Sequence, residues 1–138
     1  MIGQSIDDAI VVLNDTHYFA YERIEAAHVL AKHPEPRCLE SLIHAAEDDD
    51  PGVRWAAAHE LATMGEPALA PLLHALMEHP GSSLLRNAVL HVLRHNRNDA
   101  ILQKVTRFQK ALQGPASDLT AILAAHDLLL ELPIRQNP

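Results

Sequence analysis

The chain has 138 residues, a formal net charge of −7, one cysteine and only 4% aromatic residues. That length holds one domain, and abundant Ala and Leu with little Gly favours helices over a sheet. A single cysteine excludes an intrachain disulfide and a multi-cysteine metal site, the start Met1-Ile2-Gly3-Gln4-Ser5-Ile6-Asp7-Asp8 lacks a signal peptide's pattern, and no apolar run reaches membrane-spanning length, so a soluble cytoplasmic protein is expected.

Punctuation along the chain sets out eight helices in four antiparallel pairs. The first pair is predicted over about 5–14 and 16–33, closed by Pro34-Glu35-Pro36. The second spans about 36–47 and 51–64, with Pro36 suited to a first helical position and Gly65 to a helix end. The third spans about 67–79 and 82–96. Pro67 and Pro71 fall near the start of its first helix, where a missing N–H costs little. Pro80-Gly81 makes the turn, and Ser82 or Ser83 the cap. The fourth spans about 99–113 and 117–132, split by Gly114-Pro115, capped by Ser117 or Asp118 and stopped by Pro133.

One short pattern returns in every pair. Ala26-Ala27-His28-Val29-Leu30 becomes Ala57-Ala58-His59-Glu60-Leu61, then Val89-Leu90-His91-Val92-Leu93, then Ala124-Ala125-His126-Asp127-Leu128. The histidines are 31, 32 and 35 residues apart, and Arg23, Arg54 and Arg86 precede the first three by five positions. A period of this length marks a helical repeat array, in which each unit buries its apolar face by stacking on its neighbours. The units are expected at approximately 5–33, 36–64, 67–96 and 99–132, forming a single domain over 1–138.

Asp50-Pro51-Gly52-Val53-Arg54, followed by Ala57-Ala58, Leu61 and Gly65, resembles the second helix of a HEAT repeat. Ala68-Leu69-Ala70-Pro71-Leu72-Leu73-His74-Ala75-Leu76 resembles the following first helix of the HEAT-like subclass named after phycobilisome lyases. The fourth unit has Ala121 where the arginine would stand, as a terminal capping unit does. The resemblance implies an all-α fold, an α-solenoid of about four antiparallel pairs wound as an α-α superhelix of the armadillo type. It also implies that second helices line the concave side. Such arrays are mostly binding scaffolds, so a scaffold is expected before an enzyme, but the resemblance is unspecific for activity because unrelated functions share this fold.

On a helical wheel of the 51–64 segment, Val53, Ala57, Leu61 and Arg54 point to the core, whereas Trp55 and His59 share the opposite ridge. Carried through the units, this gives a row His28, His59, His91 and His126 beside a row Ile24, Trp55, Asn87 and Ile122. Both rows are expected to form a groove for a protein or peptide partner, with the apolar residues as anchors. Imidazole titrates near pH 6.5, so binding is expected to change between about pH 6 and 7.5. Arg23, Arg54 and Arg86 read as structural, bonding acidic side chains or helix-end carbonyls of the adjoining turn, with Asp48, Asp49 and Asp50 offering carboxylates to the second unit.

Ten histidines raise the question of metal. Packed helices lie about 8–10 Å apart, so neighbouring histidines of the row are too far apart for one ion unless their side chains converge. His91 and His95 have the i, i+4 spacing of a bidentate pair, but no carboxylate is near in sequence. No cofactor and no metal site are therefore expected. The competing enzyme reading rests on a resemblance to deoxyhypusine hydroxylases, whose His-Glu pairs hold two irons. Here His59-Glu60 and His126-Asp127 fit that pattern, whereas His28-Val29 and His91-Val92 do not. A bilin-lyase role follows only from the subclass name. Cys38, among Leu39 and Leu42, reads as a buried, inert thiol.

The charge is segregated. Residues 1–80 sum to −10, and residues 81–114 to +5 through Arg86, Arg94, Arg97, Lys104, Arg107 and Lys110 against Asp99. That basic 86–110 region is the one feature suited to nucleic acid, as in HEAT-like DNA glycosylases, and it ranks third among the functional readings.

Overall fold

The computed structural model describes residues 5–95, 99–111, 113 and 117–131. They form eight helices: α1 (Ile6–Asn14), α2 (Ala20–Leu30), α3 (Pro36–Ala45), α4 (Pro51–Met64), α5 (Glu66–Glu78), α6 (Ser83–His95), α7 (Asp99–Ala111) and α8 (Ser117–Glu131). No strand occurs among the described residues. The expected all-α arrangement of repeated helix pairs is what the chain adopts. Arg97, Gly114-Pro115 and Pro133, named above, lie outside the described residues.

Local chemistry explains most of the boundaries. Asp50 caps α4 by accepting the Gly52 and Val53 N–H groups at 2.8 and 3.1 Å, and Pro51 follows at the first helical position. Ser82, rather than Ser83, caps α6: its Oγ accepts the Leu85 N–H at 3.2 Å. Two expectations change. The second helix starts at Ala20, not near 16, because the Asp15 carboxylate accepts the His17 N–H at 2.9 Å and holds 15–18 in a turn. α5 starts at Glu66, so Pro71 lies in its second turn and removes an interior hydrogen bond instead of sitting where none is lost.

The first three pairs stack in register. α1 packs on α3 and α3 on α5, while α2 packs on α4 and α4 on α6. One continuous core runs between these two rows, built from fully buried leucines such as Leu13, Leu30, Leu42, Leu61, Leu72, Leu76 and Leu93. Each contributes about 1.5–3 kcal/mol of burial.

The last pair departs from this order. α7 packs on α6, and α8 packs on α5. With α5 on α6 and α7 on α8, the four helices close a ring in which each touches its two neighbours, the arrangement of an up-down four-helix bundle. The second helix of the fourth unit therefore joins the row of first helices. Ala121 gives the local reason. It replaces the repeat arginine and is fully buried, so α8 seats on its Ala121, Ala125 and Leu128 face with no guanidinium to house.

Candidate functional site

The repeat arginines tie helices to the turns before them. Arg23, 5% exposed, donates from Nε and Nη2 to the Leu13 carbonyl at 3.0 and 2.8 Å and grips the Asp48 carboxylate at 3.2 and 2.5 Å. Arg54 donates to the Asp48 carbonyl at 2.8 Å. Arg86 donates to the Pro80 carbonyl and to Asp118 Oδ1 at 2.8 Å. The Asp48 carboxylate thus serves the first unit, not the second, while Asp50 is spent on its own helix N-terminus. Burial alone would raise the Asp48 carboxyl; the Arg23 guanidinium and the Asp50 N–H outweigh it and hold the group below its ordinary value.

The ridge of α2, α4 and α6 opposite the core carries the candidate face. Trp55 is 64% exposed, and its indole stacks on the His59 imidazole with centroids 5.1 Å apart and planes 4° from parallel. Being i and i+4 on one helix puts the two rings one above the other. His59 is half-buried rather than fully out, because α6 brings His91 and His95 to it, with ring centroids at 6.1 and 6.2 Å. Beside Trp55, a recess of about 280 Å³ is lined by Ala46, Pro51, Ala58, Leu84, Asn87 and His91, among others. Ile24 and Asn87 are exposed on the neighbouring helices. His28 is exposed too, and its Nδ1 lies 3.0 Å from Glu60 Oε2, bridging α2 to α4.

His91 is the one unusual group here. Its Nε2 is buried without a hydrogen-bond partner among the described residues. Burial, and then the charges of His59, His95 and Arg94, push its ionisation below the ordinary histidine value.

Among known protein families, the one described as HEAT repeats matches residues 6–94. The chain belongs to that family. Comparison with curated proteins and with solved structures gives no match. The HEAT match ends at the close of α6, just before the pair that folds back onto α5 and α6.

Within this HEAT array, the expected eight-residue face is only partly assembled. Ile24, His28, Trp55, His59, Asn87 and His91 lie on α2, α4 and α6, which stack side by side. Ile122 and His126 lie on α8, which packs on α5, so they do not continue the row. Three further residues belong with the face: Tyr21 and Phe19, exposed and stacked at 5.8 Å beside Ile24 in sequence, and His95, edge-on to His59. Tyr21 was within reach of the sequence, standing one turn before Ile24. The contact of His95 with His59 depends on how α4 and α6 meet, which no spacing along one helix reveals.

The histidine side chains converge more than helix spacing suggests, yet no group of three or more His, Cys, Asp or Glu among the described residues is arranged to hold a metal ion. Glu60 turns to His28, and Asp127 lies on α8. Of the basic residues at 86–110, Arg86 pairs with Asp118 and Arg107 with Glu131 at 3.0 Å. Arg97 and the side chain of Lys104 lie outside the described residues. Cys38 is buried, and burial raises its thiol. Among the described residues, no helix is long and apolar enough to cross a membrane.

Proposed function

We propose that this HEAT-repeat chain is a protein-interaction module that takes a partner helix or peptide on the α2–α4–α6 face, with Trp55 as its anchor. One observation carries the reading: the only tryptophan of the chain stands 64% exposed, held by the His59 stack beside a recess. Tryptophan is among the residue types enriched at interface hot spots. The stack presets its rotamer, so little side-chain entropy remains to be lost on binding. Under this reading the module is cytoplasmic and carries no chemistry of its own. The resemblance of its α5 segment around Pro71 supports assigning it, under this reading, to the phycobilisome-lyase-type repeats.

The test is affinity capture from native lysate with wild type and Trp55→Glu, followed by titration of the captured partner's peptide against Trp55 fluorescence. Retention by wild type, loss by a folded variant and a saturable spectral shift support the module. Identical capture by both proteins moves the surface elsewhere. Stoichiometric iron or zinc in the purified protein, lost in His59→Ala, would favour the metal-enzyme reading instead.

A further inference from the structure

α8 is apolar on two opposite sides. One side, Ala121, Ala125 and Leu128, is buried in the core. The other carries Leu119, Leu123 and Leu130, which are 59%, 53% and 70% exposed. His126, exposed as well, stands in the same line. At 3.6 residues per turn these four positions fall in one narrow stripe directly opposite the buried side. A contiguous apolar stripe on the outer side of a helix marks an interaction surface, and α5 and α7 take only the inner side and flanks of α8.

We propose that this stripe is an interface between two copies of the chain, α8 lying antiparallel on α8 of the second copy about a two-fold axis. The stripe's spacing is the first argument. Steps of four, three and four residues read the same from either end. An antiparallel copy therefore sets Leu119 against Leu130 and Leu123 against His126, each contact made twice, as a self-complementary surface requires. A foreign helix imposes no such symmetry.

Charge is the second argument. At the start of the stripe Asp118 pairs with Arg86 of α6, and at its end Glu131 pairs with Arg107 of α7. Both carboxylates sit on α8; Arg107 sits on the flanking α7, and Arg86 reaches Asp118 from the start of α6, across the ring. Antiparallel pairing brings the start of one stripe to the end of the other, so each arginine gains a second carboxylate at the interface rim. A recess of about 300 Å³ between α7 and α8, walled by Phe108, Ala111, Leu123 and Leu128, is open to receive a leucine of the other copy.

Sedimentation equilibrium tests this from about 5 to 200 µM, the range in which a modest dimer forms. The expected mass climbs from the 15.2 kDa monomer towards twice that value. Leu123→Glu and Leu130→Glu each weaken the dimer at least tenfold, and Trp55→Glu leaves it unchanged. Orientation is read by mixing Leu119→Cys with Leu130→Cys: the antiparallel pair cross-links unlike variants, and buried Cys38 stays out of the reaction. Wild type remaining a monomer throughout overturns the proposal. So does a dimer that both glutamate variants preserve, or cross-linking confined to like variants. If Leu123→Glu lowers the melting temperature, Leu130→Glu, at the most exposed position of the stripe, carries the test. The partner-binding reading at Trp55 stands or falls separately.

Discussion

Arg23, Arg54 and Arg86 occupy one position of the repeat yet differ in how much depends on them. Arg23 is buried and makes four hydrogen bonds, two to the Leu13 carbonyl and two to Asp48. Arg54 is half-buried and donates to a carbonyl, that of Asp48. Removing one partner of a buried pair strands the other, so Arg23→Ala should cost about 3 kcal/mol, and Arg54→Ala about 1 kcal/mol; urea unfolding of the two variants measures the difference. The same pair sets an acid limit. The Asp48 carboxyl is lowered in the folded state, so its stabilisation is complete above its ordinary value and is lost as pH falls through the lowered one, below about pH 4. His91 sets a second limit nearer neutrality. Its folded-state ionisation is also lowered, and the groups around it, His59 and Arg54 on α4 with His95 and Arg94 on α6, include no carboxylate to favour its charged form. The unfolded chain takes up the proton first, so stability should hold above about pH 6.5 and decline below it. His91→Asn should flatten that part of the pH profile, and an unchanged slope would remove His91 from the account.

At the scale of single elements, the helices follow from proline, glycine and acidic caps. Asp50-Pro51 and Gly65 were plain in the sequence, since cap chemistry is local. The start of α2 was not, because the Asp15 side chain competes with the helix for the backbone. Gly65 both ends α4 and begins α5, with φ 75° and ψ −138°. Side chains rarely adopt that conformation, so Gly65→Ala should cost about 1–3 kcal/mol, seen as a lower urea midpoint. The α4 ridge was likewise readable from a wheel, which put Trp55 and His59 together and away from Val53, Ala57 and Leu61. What one wheel does not contain is the neighbouring helix, and so the closeness of His91 and His95 to His59 escaped it.

On the scale of the whole molecule, periodicity gave the solenoid but misplaced its last unit. The pattern Ala124-Ala125-His126-Asp127-Leu128 keeps its register in α8, yet α8 packs on α5. Sequence similarity persists there after the structural role has changed. Ala121, buried in the arginine's place, and the longer 35-residue step to His126 marked the change. Closure by α7 and α8 buries Phe108 and Leu128 as well as the faces of α5 and α6 they cover. A chain ending after His95 should therefore lose about 3–6 kcal/mol, the burial of two large apolar side chains, with calorimetry as the check. The fold-back also dictates where this protein can lengthen. A unit appended after α8 meets the two rows exchanged, because α7 ends the row of second helices and α8 the row of first helices. A helix pair duplicated at Gly65, between α4 and α5, leaves the terminal ring whole and adds one more stacked layer beneath it. Insertion there lengthens the stack and carries the ring of α5 to α8 along unchanged.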